Sequence, residues 1–172
     1  MKPQQRKLLF PPDDRVCLEE RINDDPMLRV SEIEISYHPA VRPSERISVT
    51  GSQEAEQVFR RIWCRPIELR ECFYALFLSR ANKVLGYYLI SIGGITGTVI
   101  DVRTVYQAAL KANACSVIFA HCHPSGNSTP SDADIQITRK LIDAGKFLDI
   151  SVLDHLILLP EGYFSMADNG MI

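Results

Sequence analysis

Ser116-Val117-Ile118-Phe119-Ala120-His121-Cys122-His123-Pro124 runs on through Ser125-Gly126-Asn127-Ser128-Thr129-Pro130 to Ser131-Asp132-Ala133-Asp134. An apolar run of strand length thus feeds directly into a His-x-His-Pro string. Residues two apart in extended backbone point the same way, so His121 and His123 project from one face. Two imidazoles so placed suit one ion, with Zn–N distances of about 2.0–2.1 Å. Pro124 ends strand pairing. The polar loop after it lets the chain turn back and lay the next helix over the histidines. Ser131 and Asp134, three apart, share one face of that helix's first turn, and Asp134 can supply a third, oxygen ligand.

Two nitrogens, a carboxylate and an open fourth position describe a catalytic rather than a structural zinc site. The fourth position belongs to a water, whose pKa such a metal lowers toward about 7. A further carboxylate is then wanted nearby to take and return the proton. Each fragment alone has a plainer reading. Ser131-x-x-Asp134 by itself is a helix start, with Ser131 as N-cap and Asp134 at the positive end of the helix dipole. A lone His-x-His is weak. The joint spacing is much more restrictive and favours the metal.

Outward from this stretch, strands and helices interleave. Ser52 onward reads as an amphipathic helix with Ala55, Val58, Phe59, Ile62 and Trp63 on its apolar side. Cys72 to Leu78 is nearly all apolar, as a strand covered on both faces should be. Asn82-Lys83 turns into a hairpin strand over Val84 to Ile92, and Gly93-Gly94 and Gly97 mark a bend. Val102 to Asn113 reads as a second helix and Cys115 to Ala120 as a strand. Ser131 to Ala144 reads as a third helix stopped by Gly145. Val152 to Leu159 and Tyr163 to Met166 form a last pair around Pro160-Glu161-Gly162. This order predicts an α/β fold, a layered mixed sheet flanked by helices. Upstream, Ile33, Ile35 and Tyr37 alternate with polar residues as a strand does. The predicted organisation is an N-terminal arm and linker over 1–47 and one domain over 48–172.

The 172 residues suffice for one domain, and 46% of them are hydrophobic, enough for a core. No apolar stretch is long enough for a plain transmembrane helix, so no membrane partner is expected. Five cysteines, an odd count without a Cys-x-x-Cys pair, suit a reducing, cytoplasmic setting. A net charge of -2 and a pI near 6.1 give no global attraction to nucleic acid. Arg60, Arg61, Arg65 and Arg70 read best as a solvated helix and loop.

His121-x-His123-Pro124-x6-Ser131-x2-Asp134 resembles the JAMM signature of MPN+ metalloproteases. The longer string, with His123-Pro124-Ser125-Gly126, Thr129-Pro130-Ser131 and Leu153-Asp154-His155-Leu156-Ile157, resembles their RadC branch. The likeness runs from about residue 50 to the C-terminus and implies the MPN/JAB, cytidine-deaminase-like architecture. It implies one zinc ion (Zn2+) on His121, His123 and Asp134. It also implies that Ser131 stabilises an oxyanion, an effect worth about 3 kcal/mol in other enzymes. Finally, it asks for an upstream glutamate as general acid/base, and Glu71, just before the apolar run, fits better than Glu68. In two places the chain departs from the pattern. Cys122 stands where RadC members usually carry Asn, and strand alternation turns it away from the metal. An arm stands where longer members carry a DNA-associated helix-hairpin-helix, which weakens any carry-over of DNA binding.

The resulting expectation is a metallopeptidase or isopeptidase acting on a protein or peptide. Alternatives are a nucleic-acid hydrolase or repair accessory, and a non-catalytic interaction module. A zinc deaminase would need His-x-Glu and Pro-Cys-x-x-Cys, and neither occurs. Asp154 and His155 read as a buried, mutually bonded pair supporting the fold or the ligands. Edge strands, Ile33 to Tyr37 among them, offer pairing to an extended peptide or to another copy in a homo-oligomer.

Overall fold

The computed structural model describes residues 40–94 and 99–172. The strand expected over Ile33 to Tyr37, most of the expected arm and the glycine at 97 lie outside them. Within the described residues a five-stranded mixed sheet has strand order β2-β1-β3-β4-β5. Its strands are β1 (Cys72–Leu78), β2 (Val84–Ile92), β3 (Ser116–Cys122), β4 (Ser151–Leu158) and β5 (Tyr163–Ser165). β3 and β4 are parallel, and the other three pairings are antiparallel. The helices are α1 (Ser52–Ile62), α2 (Val102–Lys111) and α3 (Asp132–Phe147). A short 3-10 turn covers Pro43–Glu45, and Ser48 bridges to Lys83 beside β2.

Every residue of β1 and of β3 is buried, because each lies between two strands and beneath helices on both faces. Alternation divides their side chains. Tyr74, Leu76, Leu78, Ala120 and Cys122 pack with Ala55, Val58 and Phe59 of α1. Phe73, Ala75, Phe77, Val117 and Phe119 pack with Val105, Tyr106 and Ala109 of α2 and Leu141 of α3. Arg60 of α1 donates to the carbonyls of Leu159 and Gly162 at 3.1 and 2.7 Å, fastening the β4–β5 turn.

Several boundaries shift by one or two residues, with α2 ending at Lys111, β4 spanning Ser151–Leu158 and β5 ending at Ser165, and two further shifts have physical reasons. β3 continues past Ala120 through His121 and Cys122, which stay in register with Phe73 of β1 and with Ile157 and Leu158 of β4. α3 does not stop at Gly145 but runs to Phe147. A Cβ on Gly145 would meet the Ile150 carbonyl oxygen at 2.4 Å and the Tyr106 hydroxyl at 2.6 Å. That glycine permits close packing inside the helix, and the left-handed residue beyond its end is Asp149, at φ 54°.

Antiparallel pairing of Phe73 with His121 brings the start of β1 and the end of β3 to the same end of the sheet. The chain leaves β3 there, loops, and re-enters as the first turn of α3. The elements that meet at this end carry Glu71, His121, His123, Ser131 and Asp134 on or beside them.

Candidate metal centre

His121 is the last but one residue of β3 and is 2% exposed. Its ring stacks on Phe73, with centroids 6.3 Å apart and planes 8° from parallel. His123 follows just beyond the strand, and its backbone N–H is held by the Leu158 carbonyl at 3.0 Å. The two Nε2 atoms come to 3.0 Å of each other. Asp134, in the first turn of α3, sets Oδ1 at 3.3 Å from His121 Nε2 and Oδ2 at 3.6 Å from His123 Nε2. One donor atom from each of the three lies within 4.8 Å of the others.

The remaining ring nitrogens are occupied. His123 Nδ1 donates to the Asn127 carbonyl at 2.6 Å, which leaves its Nε2 lone pair facing the other donors. His121 Nδ1 lies 2.8 Å from His155 Nε2. Two imidazole nitrogens and a carboxylate oxygen converging on one point, with each ring steadied from behind, fit a borderline-soft divalent cation such as zinc.

Electrostatics tighten the cluster. Burial pushes the Asp134 carboxyl upward, but hydrogen bonding and attraction from His121 and His123, with the Ser131 hydroxyl, hold it far below the ordinary carboxylate range. Asp134 in turn raises the pKa of His123 against the opposing effect of burial. His155 is fully buried, and desolvation with the nearby His121 holds its pKa well below the usual imidazole value.

Ser131 is the N-cap that one of its sequence readings expected, and it also bonds the Asp134 carboxylate. As N-cap of α3 its Oγ accepts from the Asp134 backbone N–H at 3.2 Å. The same hydroxyl donates to Asp134 Oδ2 at 2.6 Å, and the Ser131 N–H donates to that oxygen at 2.8 Å. The capping box therefore orients the carboxylate toward the histidines.

Glu71 precedes β1 and is pinned by its backbone, which accepts from Gly93 N at 2.8 Å and donates to Gly94 O at 3.4 Å. It lines a cleft of about 430 Å³ together with His121, His123, Ser131 and Asp134. Burial raises its pKa, while the two imidazoles pull it down and Asp134 pushes it up. Glu68 is exposed and absent from the cleft wall. Phe73, Val99, Ile100, Ala133 and Ile137 make the rest of that wall apolar.

Cys122 faces the opposite side of the sheet, among the α1 core residues. Its thiol donates to the Arg70 carbonyl at 3.1 Å, and burial pushes its pKa up to about 11, so it packs rather than ligates. The expected Asp154–His155 pair needs correction. The two side chains do not bond each other, as befits neighbours on a strand. Asp154 Oδ1 accepts the His155 backbone N–H at 2.7 Å and the Ala167 N–H at 3.0 Å, and Oδ2 takes the Ser165 hydroxyl at 2.6 Å. Thr138, which the sequence reading passed over, sits one turn after Asp134 with its Oγ1 2.6 Å from His155 Nδ1. The i+4 spacing from Asp134 was the available signal. Tyr87 and Tyr88 are exposed on β2, away from the cleft wall.

A family model described as the RadC-like JAB domain matches residues 49–171. A UPF0758 protein of Flavobacterium johnsoniae is 46% identical over 101 residues, which cover 59% of this chain and 44% of that protein. One of Syntrophomonas wolfei is 44% identical over 103 residues, covering 60% and 44%. One of Salinibacter ruber is 38% identical over 128 residues, covering 74% and 54%. The chain spans about half the length of the curated relatives it matches.

Proposed function

This chain belongs to the RadC-like JAB domain family, and from that premise we propose that it is a zinc-dependent hydrolase cleaving amide bonds in a protein or peptide. The observation that carries the reading is the convergence of His121 Nε2, His123 Nε2 and the Asp134 carboxylate in a cleft also lined by Glu71. These three residues would hold a zinc ion, which would supply Lewis acidity and lower the pKa of a water toward neutrality.

The protein's own groups do the rest. Glu71 takes a proton from the attacking water and returns it to the leaving amine. Its raised proton affinity suits both halves of that exchange. Ser131 stabilises the oxyanion once its hydroxyl swings from Asp134 Oδ2 toward the substrate. The Ser131 N–H keeps hold of the carboxylate meanwhile. The apolar wall of Phe73, Ile100 and Ile137 excludes water around the scissile bond and accommodates an aliphatic side chain.

A phosphodiester substrate fits less well. No lysine or arginine is among the described residues lining the cleft, and Glu71 and Asp134 would repel phosphate. The test is zinc content of the purified chain, followed by mass-spectrometric cleavage of a diverse peptide library. Glu71→Ala should keep zinc and lose about 10²–10⁴-fold in rate. Zinc-loaded protein that cleaves no peptide but nicks DNA in a Glu71-dependent way would replace this reading with the nuclease. Protein unable to take up metal would replace it with a binding module.

A further inference from the structure

Behind His121 lies a buried path that no part of the proposed chemistry uses. His121 Nδ1 is 2.8 Å from His155 Nε2, His155 Nδ1 is 2.6 Å from Thr138 Oγ1, and Thr138 Oγ1 is 2.6 Å from the Asp134 carbonyl oxygen. His155 and Thr138 are 0% and 3% exposed. The path begins on β3, crosses to β4, passes to α3 and ends on the backbone of the residue that offers the carboxylate.

We propose that His155 and Thr138 are positioning residues that fix the tautomer and ring orientation of His121, and tie it to the backbone of Asp134, so that both present their donor atoms to one metal ion. The direction of every hydrogen bond follows from one proton. Thr138 Oγ1 has a single hydrogen, and two of its neighbours, the Asp134 carbonyl oxygen and Met166 Sδ at 3.6 Å, can only accept. The hydroxyl proton goes to the carbonyl, so Thr138 Oγ1 accepts from His155 Nδ1–H. A neutral His155 with its proton on Nδ1 has a bare Nε2, which accepts from His121 Nδ1–H. His121 is then left with its Nε2 lone pair toward His123 and Asp134. Reversing either bond to His155 would put a proton on His121 Nε2, where a ligand needs a lone pair.

Phe73 fixes the planes. Its ring stacks against His121 and meets His155 edge-on at 5.2 Å between centroids. Phe119 adds a second edge contact to His155, at 6.2 Å. Both imidazoles thus have buried phenylalanine rings against them. The path is anchored at both ends, since helix α3 supplies both its last acceptor and the carboxylate.

This inference rests on the metal reading of the cleft, and its test separates the two. In the full chain without metal, long-range ¹H–¹⁵N spectra of the imidazoles should show His155 protonated at Nδ1. Protonation at Nε2 overturns the proposal whatever the variants do. Thr138→Val should weaken zinc binding about tenfold and His155→Phe by about ten- to a hundredfold, as loss of such supporting bonds does elsewhere. Thr138→Ser, which restores the hydroxyl, and His155→Gln, which restores an acceptor toward His121, should each recover most of the loss. A purely structural role would show no such rescue. Unchanged zinc affinity in folded Thr138→Val overturns the proposal while leaving the hydrolase reading intact. Variant-dependent zinc affinity in a protein that cleaves no peptide supports the positioning role and removes the peptidase. A wild-type chain that binds no zinc overturns both.

Discussion

Ser131 caps α3 and is proposed to stabilise an oxyanion, and the right substitutions separate the two roles. Its Oγ caps α3 through the Asp134 N–H and also bonds the Asp134 carboxylate. Ser131→Ala removes both, so it should lower stability by about 1 kcal/mol, the usual cost of a lost cap. Under the proposed reaction it should also lower kcat by about 10²–10³. Ser131→Gly keeps most of the cap, at a cost of only about a few tenths of a kcal/mol, and brings no side-chain donor, whereas an asparagine amide could itself donate to an oxyanion. Urea denaturation should therefore find Ser131→Gly near wild type, while kcat stays low. If Ser131→Gly keeps full activity, the hydroxyl stabilises no oxyanion and Ser131 is a cap alone. At this scale the sequence was most legible where the residues that converge lie close along the chain. His121, His123 and Asp134 fall within fourteen positions, so spacing alone suggests a shared point. His155 is 34 residues from His121 and 17 from Thr138. Only the packing of β4 beside β3, under α3, joins them. The same distance misled the reading of Asp154: adjacency to His155 suggested a pair, whereas strand alternation sends the two side chains apart.

Among the elements, β1 and β2 were legible to the residue because uninterrupted apolar runs bounded by turn residues are what central and hairpin strands require. β3 was read two residues short. Polar imidazole breaks the hydropathy of the run, yet His121 is as buried as the phenylalanines before it. A strand that ends in buried histidine hides its own end. α3 was read three residues short for a different reason. Gly145 resembles a helix stop, but it serves the close approach of Tyr106 and the Ile150 carbonyl. Gly145→Ala distinguishes the two uses. At a stop or in an open helix, alanine would be neutral or gain up to about 1 kcal/mol in propensity. Here the added Cβ falls 2.4 Å from a backbone oxygen, and overpacking of that kind costs about 1–3 kcal/mol. Chemical denaturation should show net destabilisation. Zinc affinity should not change, because Asp134 lies eleven residues along α3, or about 16 Å away at 1.5 Å per residue. A stabilised Gly145→Ala would mean that α3 ends before Tyr106 reaches it.

For the molecule as a whole, the centre joins parts that are far apart in sequence: the end of β3, the first turn of α3 and, through His155, the middle of β4. The layered sheet was legible because hairpins and helical crossovers each leave a pattern. That three elements meet at one end of it follows from strand order, which no local pattern encodes. An ion bound at such a junction stabilises the folded state by mass action, about 2.7 kcal/mol when free zinc is a hundred times its Kd. For a domain of this size that corresponds to a rise in Tm of about 5–10 °C, reversed by EDTA. The increment should depend on pH in a definite direction. Asp134 raises the His123 pKa in the metal-free protein above the ordinary 6.5. The stability contributed by that protonated imidazole is full below about 6.5 and is lost as pH rises through the higher folded value. Zinc requires the deprotonated ring, so protons compete with it throughout the same interval. Between about pH 6 and pH 8 the metal-free Tm should lose the His123 contribution while the difference between zinc-loaded and EDTA-treated protein widens. Thermal melts in matched buffers measure both. A zinc increment that stays flat or shrinks as pH rises would place the ion on groups other than His123.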